Sequence, residues 1–474
     1  MPADAAGHRI ERDTLGEVRV PAGALYGAQT QRAVENYPVS GLREHPQFIR
    51  AFILLKKAAA LANKELGTLE SRLADAIVSA CDLILGDLRG YRQHFVVDVF
   101  QAGAGTSFNM NCNEVLANLA NRSLGGELGS YKPIHPNDHV NMAQSTNDVF
   151  PTAIRMAVVL QLAHLLPVIE SLQTALAEKG SQFADVIKSG RTHLQDAVPV
   201  TLGQEFAAYS RAVARAHRLL IDAAAELFEL GIGGTAAGTG MNTAPGYRHA
   251  VVRHLNDMTG QHYRPANDLR EAMQSQLPVV AVSTALRNLA LELTRITNDL
   301  RLLASGPQTG LAEIVLPSVQ PGSSIMPGKV NPSLLECMNQ ICFHVIGADT
   351  AVAYASQAGQ LELNVMMPLM AFELNFSIEI LNNFIPVFVE KCVRGIEADR
   401  ERCREYYISS PSLATALNPI IGYAAAAEIA KESARSGRPI PDLIRERGLL
   451  SEEEIHRIFS PEFLTGQADQ EMDL

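Results

Sequence analysis

The chain has 474 residues, of which 47% are hydrophobic and 19% are charged, and its formal net charge at pH 7 is −11. This length exceeds what one simple core requires, and the composition is that of a globular chain, which excludes a disordered protein. The acidic charge balance gives no electrostatic footprint for nucleic acid or an anionic membrane, so any anionic ligand must be bound by a local cluster of donors.

The predicted elements in the first third of the chain are short. Residues 9–39 are rich in turn residues, and residues 48–63 and 73–88 have the apolar spacing of amphipathic helices. We therefore predict a mixed, mostly helical N-terminal domain over residues 1–143.

Long helical runs begin at about residue 145. Apolar residues from Val158 to Leu176 and from Val279 to Leu303 recur at spacings of three and four, which predicts long helices packed in a bundle. Residues 336–391 are apolar on more than one face, which is typical of a buried helix. The pattern predicts a mainly α fold with a central bundle domain over 144–401 and a small helical C-terminal domain over 402–474.

The six cysteines are scattered through the chain without a CxxC pair, which favours reduced thiols. No uninterrupted apolar run reaches the length of a membrane span, and residues 1–12 lack the apolar core of a signal peptide. We expect a cytoplasmic protein that binds neither membrane nor nucleic acid.

Four patches rich in glycine, hydroxyl and amide residues interrupt the helical runs, and such side chains can bind carboxylates without burying several full charges. Any one of them could equally cap a helix. We call them the first to fourth patches: residues 103–114, 141–148, 190–196 and 233–243. Their spacing matches neither a phosphate-binding loop nor a zinc site, since Pro136 separates His135 from His139, and we expect no metal or cofactor.

A fifth segment, residues 321–332, has the sequence Pro-Gly-Ser-Ser-Ile-Met-Pro-Gly-Lys-Val-Asn-Pro, and we call it the serine loop. Uncommitted backbone N–H groups, the Lys329 charge and the Asn331 amide suit an anion that gains negative charge as it reacts. A surface linker has a similar composition, but the apolar Ile325 and Met326 argue against it because they need a packing surface.

The serine loop resembles the signature of the fumarase/aspartase superfamily, and the four patches are similar to its other motifs in the same order. The resemblance implies a homotetramer with a shared multi-helix core, in which each active site is assembled from three subunits. It also implies cleavage of a C–N or C–O bond next to a carboxylate, with a small dicarboxylate such as aspartate or fumarate as the ligand.

The resemblance assigns roles to individual residues. Ser323, His193 and Lys329 are implied to be the catalytic residues, with Ser323 as the base. Glu336 is implied to orient His193 or the loop of Lys329 from outside the site. Glycines 322 and 328 are either hinges of the loop or ordinary turn residues. The implied ligand contacts are Thr106, Ser145, Thr146 and Ser324 for the carboxylate that becomes an enediolate, Lys329, Asn331 and Thr192 for the other carboxylate, and Asn147 and His193 for the leaving group.

Within the superfamily, the segment from Gln144 to Asp148 resembles the form found in aspartate ammonia-lyases, because fumarases generally carry serine where this chain has Thr146. Residues 97–107 also resemble the aspartate ammonia-lyase form. Residues 135–138 resemble the fumarase form, so class II fumarate hydratase remains the alternative. A non-catalytic helical assembly of the same fold is a further alternative that the complete set of site residues disfavours.

Overall fold

The computed structural model describes residues 7–466, and this part of the chain is mainly helical. Its sheets each have two strands, and three of them are antiparallel while the pair of β5 and β6 is parallel. The strands are β1 His8–Asp13, β2 Gly16–Pro21, β3 Ile187–Thr192, β4 Gln195–Thr201, β5 Glu229–Leu230, β6 Arg264–Pro265, β7 Ile314–Val315 and β8 Glu397–Ala398.

The helices range from single turns to runs of ten turns. They are α1 Ala28–Asn36, α2 Pro46–Glu65, α3 Ser71–Gly86, α4 Leu88–Tyr91, α5 Thr106–Ser123, α6 Thr146–Gln182, α7 Leu202–Ala224, α8 Tyr247–Thr259, α9 Glu271–Gln274, α10 Leu277–Leu303, α11 Ser333–Gln357, α12 Met367–Lys391, α13 Arg400–Ser409, α14 Asn418–Ile421, α15 Tyr423–Ser436, α16 Ile440–Glu446, α17 Glu452–Ile458 and α18 Pro461–Leu464.

The predicted helices of the first third and the long heptad-like helices are confirmed by α2, α3, α6 and α10. The apolar stripe of α10 is buried along its length, as its spacing of three and four requires. By length and composition alone, α6 and α10 could cross a membrane, but 67% and 44% of their most apolar windows are buried inside the protein. Core helices of soluble proteins have the same composition, so this is weak evidence for a span.

The prediction of one buried helix over residues 336–391 is wrong, because this segment forms two helices, α11 and α12. The break is stabilised by Asn364, whose side-chain amide donates to the carbonyls of Ala355 (3.0 Å) and Ser356 (2.9 Å) at the end of α11. Leu361 lies in the break with a φ of 50°, which no helix accommodates.

The chain folds into two compact units that interleave along the sequence. The first contains the residues up to Leu166, Arg218–Ala290 and Phe343–Asn382, and the second contains Pro167–His217, Leu291–Cys342 and the described residues from Asn383 onward. A cluster of buried apolar residues between Leu413 and Ile455 forms a core of its own at the end of the second unit. The division into domains 1–143, 144–401 and 402–474 stays a prediction.

Candidate active site

The first patch forms a tight turn and then the N-terminus of α5. Gly105, the residue before the helix, has a φ of 84°, and an ideal Cβ there would lie 2.0 Å from the ring of Phe150, so only glycine fits. Thr106 is the first residue of α5 and is exposed. Gly105 has no side chain to cap the helix, so Thr106 lies at an uncapped helix N-terminus, where anions are favoured.

The second patch leads into α6, and its side chains both cap this helix and offer polar groups to a ligand. The Ser145 N–H donates to Asp148 Oδ1 (3.0 Å) and the Asn147 N–H donates to Ser145 Oγ (3.2 Å), so Ser145 caps the helix. Buried Thr146 accepts a hydrogen bond from Asn109 Nδ2 (2.9 Å), which leaves its own hydroxyl hydrogen available to a ligand. The Asn147 amide donates to the Ala236 carbonyl (2.9 Å), which orients its side chain.

Asp148 is a functional candidate that the sequence interpretation missed. Its side chain is fully buried, and Oδ2 accepts the backbone N–H groups of Gly233 (3.0 Å) and Thr235 (2.9 Å). Burial raises the pKa of Asp148 to about 6. The carboxylate therefore ties the fourth patch to the start of α6. A carboxylate three residues after a capping serine is the sequence signal that could have revealed this role.

Lys56 is a second residue that the sequence interpretation missed. It lies in the apolar face of α2, is fully buried, and donates to Asn141 Oδ1 (2.9 Å) and Gln144 Oε1 (3.0 Å) of the second patch. Burial lowers the pKa of Lys56 to about 7. The signal in the sequence was a lysine within an otherwise apolar helix face, because burying an ammonium is costly unless polar partners surround it.

The third patch lies on a β-hairpin, which the sequence analysis did not predict. The strands β3 and β4 pair up to Thr192 opposite Gln195, and His193 and Leu194 form the two-residue turn with φ values of 56° and 58°. Positive φ at both central positions is the geometry of a type I′ turn, in which the hairpin twist is best matched. Thr192 and His193 are exposed at its tip.

The serine loop folds back on itself. The Gly322 N–H donates to the Lys329 carbonyl (2.8 Å), and Asn331 Nδ2 donates to the Gly322 carbonyl (2.5 Å). Within this fold Ser323 Oγ accepts two backbone N–H groups, from Ile325 (3.2 Å) and Met326 (3.0 Å). Donors directed at an oxygen favour its anionic form, so this arrangement is compatible with the predicted role of Ser323 as a base.

Residues 324–330 of the loop are exposed to solvent. Ser324 and Lys329 are exposed, and the Ile325 side chain is 84% exposed, so the expectation that Ile325 and Met326 pack is not met within this chain. Glu336 lies in the first turn of α11, partly buried, and among the described residues no hydrogen bond links it to His193 or Lys329.

The two units each carry part of the predicted site. Thr106, Ser145, Thr146 and Asn147 belong to the first unit, where Asn109 from α5 contacts Thr146. The second unit carries Thr192, His193, Ser323, Ser324, Lys329, Asn331 and Glu336. A cavity of about 550 Å³ in the first unit contains none of these residues, and apolar side chains such as Val159, Leu162 and Phe228 line most of it.

Strained backbone is concentrated in the patches. Non-glycine residues with positive φ cost about 1–3 kcal/mol each and gather at functional sites. In the patches they are Ala104, Ala143, His193, Leu194, Thr235 and Asn242. Each of the four patches contains at least one, which supports a role beyond connecting helices.

Comparisons with known proteins cover nearly the whole chain. The family model described as Lyase matches residues 16–347, and the model described as Fumarase C C-terminus matches residues 413–466. An aspartate ammonia-lyase from Bacillus sp is 47% identical over 457 residues, which is 96% of this chain and 97% of that protein.

Two solved structures have the same fold. A protein from Brucella melitensis described as fumarate lyase:delta crystallin, with bound cobalt, superposes with a TM-score of 0.92 at 46% identity and covers 96% of this chain and 98% of that one. A class II fumarase from Schistosoma mansoni superposes with a TM-score of 0.91 at 36% identity, again covering 96% of this chain and 98% of that one.

Proposed function

The chain belongs to the fumarase/aspartase superfamily of lyases, and from this premise we propose that it is an aspartate ammonia-lyase, a carbon–nitrogen lyase that interconverts L-aspartate with fumarate and ammonia. The observation that carries the proposal is the 47% identity to an aspartate ammonia-lyase over 96% of the chain. Class II fumarase, which shares the fold at 36% identity, is the alternative.

The first step is removal of a proton from the carbon next to the β-carboxylate of aspartate. We propose Ser323 as the base, because its Oγ accepts two backbone N–H groups and the same loop carries the cation Lys329. The C–H electron pair moves onto the carboxylate and gives an enediolate. Thr106, Ser145, Thr146 and Ser324 are proposed to stabilise it, and loss of one such donor typically costs about 3–4 kcal/mol.

The second step expels the amino group as the enediolate collapses to the double bond of fumarate. We propose that Asn147 and His193 bind the amino group. The Asn147 Nδ2 is already bonded to the Ala236 carbonyl, so its Oδ1 suits an ammonium donor. Lys329, Asn331 and Thr192 are proposed to hold the α-carboxylate, and Glu336 to act from outside it.

We further propose that four chains assemble and that each site collects residues from three of them. Large apolar side chains are exposed on α10, α11 and α12, among them Leu291 (50%), Phe343 (57%) and Tyr354 (66%). Exposed apolar surface of this kind marks an interface between chains. Sedimentation or light scattering should give a tetramer mass, and a monomer would contradict the proposal.

We also propose a cytoplasmic location. Among the described residues all cysteines are free, and all but Cys337 are buried, as in proteins of a reducing compartment. Cell fractionation tests this location.

The reaction is tested by following fumarate absorbance with L-aspartate and with L-malate as separate substrates. Fumarate from aspartate supports the proposal, and fumarate from malate alone would establish the fumarase alternative. Ser323→Ala should lower kcat by at least about 100-fold while the protein stays folded. Ser333→Ala, just beyond the loop, is the control, and equal rates for Ser323→Ala and the wild type would rule out Ser323 as the base.

A further inference from the structure

A buried cluster of charges lies beside the hairpin that carries Thr192 and His193. Glu313 is completely buried, and its two carboxylate oxygens accept the guanidinium of Arg191 at 2.9 and 3.0 Å. Lys188, also buried, lies 3.1 Å from the same carboxylate and 2.8 Å from Glu205. The cluster thus pairs two cations of β3 with two carboxylates from other parts of the second unit.

The Glu313 carboxylate is a fixed point because its backbone is bonded on both sides. Its N–H donates to the Leu303 carbonyl at the end of α10 (2.9 Å), and its own carbonyl accepts the Asp399 N–H (3.0 Å). A group held this way on packed elements positions its partner more precisely than a group on a free loop.

The Arg191 guanidinium has contacts on the face of its plane as well as along its edge. Its guanidinium lies 5.5 Å from the ring centroid of Tyr406, in addition to the two bonds to Glu313. The register of β3 against β4 shifts between Ser189 and Arg191, so strand pairing alone leaves the end of β3 less constrained. The two parallel hydrogen bonds from the Arg191 guanidinium to Glu313 fix the strand end, one residue before Thr192.

A buried ion cluster is weak evidence for a contribution to stability, because replacing one with apolar side chains of equal volume often leaves the free energy of unfolding unchanged or higher. Its geometric effect on the hairpin is the stronger reason for its presence. We propose that Glu313, through Arg191, is a positioning residue that holds Thr192 and His193 in the orientation the reaction needs. This inference rests on the proposed function of the site.

The kinetic test is a double-mutant cycle on fumarate release from aspartate. Glu313→Gln should lower kcat/KM by about 100-fold in the wild-type background, as expected for a misplaced contact group. In a His193→Ala background the same change should lower kcat/KM by a smaller factor, because one of the two groups that Glu313 positions is gone. A general structural defect would lower kcat/KM by the same factor in both backgrounds, and that result would overturn the proposal.

The matched control is Lys179→Met in the same unit. Lys179 is also buried and donates to the Ile396 carbonyl and to Gln182, both at 2.8 Å, and neither partner belongs to the hairpin. It should leave kcat/KM within about twofold of the wild type. If Glu313→Gln fails to fold, Arg191→Lys gives the same comparison, since it keeps the charge and loses the fork.

Hydrogen–deuterium exchange tests the anchoring without any substrate. Glu313→Gln should speed exchange of amides in residues 187–201 selectively, and Lys179→Met should not. Unchanged exchange in the hairpin would overturn the proposal even if activity falls. If the wild-type protein releases no fumarate from aspartate, the proposed function fails, and the exchange result still decides whether Glu313 anchors the hairpin.

Discussion

Lys56 illustrates how much a single buried side chain contributes to the second patch. Its ammonium is surrounded by amide oxygens of Asn141 and Gln144, and Asn109 and Asn113 also donate to Asn141. None of these partners is a carboxylate, so the cation lies beside the predicted carboxylate-binding residues without a bonded anion of its own. We expect it to make the patch attractive to a dicarboxylate at a cost in stability.

Because of this cost, the difference in the free energy of unfolding between wild type and Lys56→Met should depend on pH. Burial lowers the pKa of Lys56 from 10.5 to about 7, so between these values the unfolded chain binds a proton that the folded chain does not. The free energy of unfolding of the wild type therefore rises with pH across this window, and the full cost is present below pH 7. Methionine has no such cost. The excess in the free energy of unfolding of Lys56→Met over the wild type should therefore shrink by a few kcal/mol from about pH 6 to about pH 9.

Urea unfolding of both proteins at the two pH values measures this change. Lys57→Met, one residue along the helix at a lysine paired with Asp82 (2.5 Å), is the control and should not reproduce the trend. Parallel pH dependences for wild type and Lys56→Met would contradict the assignment of a buried, shifted ammonium.

The hairpin turn shows strain at the level of an element. Leu194 has a φ of 58° and is 70% exposed, so it has the backbone cost of the left-handed region with little packing to offset it. Leu194→Gly should stabilise the protein by about 0.5–1 kcal/mol, because glycine adopts this φ freely. Leu194→Val should destabilise it by a similar amount, because a β-branched side chain is worst there. Thermal unfolding of the pair tests the signs, and equal melting temperatures would show that the turn is unstrained.

The serine loop depends on two glycines for different reasons. An ideal Cβ on Gly322 would lie 2.6 Å from the Asn331 nitrogen and 2.7 Å from the Lys329 oxygen, both backbone atoms that cannot move aside independently. At Gly328 nothing lies within 4 Å, and only the φ of 80° favours glycine. The structure thus favours turn geometry for Gly328 and close backbone contact for Gly322.

This difference predicts that Gly322→Ala opens the loop and lowers kcat by at least about 100-fold, while Gly328→Ala costs about tenfold or less. The effect on the free energy of unfolding should be smaller than the effect on kcat, because most of the loop is exposed. Steady-state kinetics with aspartate measures both effects. A larger loss in Gly328→Ala than in Gly322→Ala would show that loop closure against Asn331 is unimportant.

The sequence was informative where periodicity or composition alone carries the signal. The stripe of α10 and the hydroxyl and amide residues of the patches were identified because their spacing and chemistry are local properties. The hairpin was missed because Lys188, Ser189 and Arg191 do not alternate in polarity, and their pairing depends on Glu313 and Glu205 elsewhere in the chain. Lys56 and Asp148 were missed for the same reason, since their roles exist only through tertiary partners.

At the scale of the whole molecule, the proposed tetramer accounts for the apolar surface that one chain leaves exposed. Leu291, Phe343 and Tyr354 lie on long helices whose other faces are core, and the proposed assembly would bury these exposed side chains. A site assembled from several chains also allows residues on separate loops to act together without one chain bringing them into contact.

Complementation between inactive variants tests this arrangement. Ser323→Ala and Thr146→Val each remove one predicted site residue, and each alone should be inactive. If the two residues of one site come from different chains, mixed tetramers formed by refolding the variants together should contain some sites with both residues intact, about a quarter for random mixing. Fumarate release should then return to about that fraction of the wild-type rate. Refolding each variant alone is the control, and a mixture as inactive as its components would show that Ser323 and Thr146 of one site belong to the same chain.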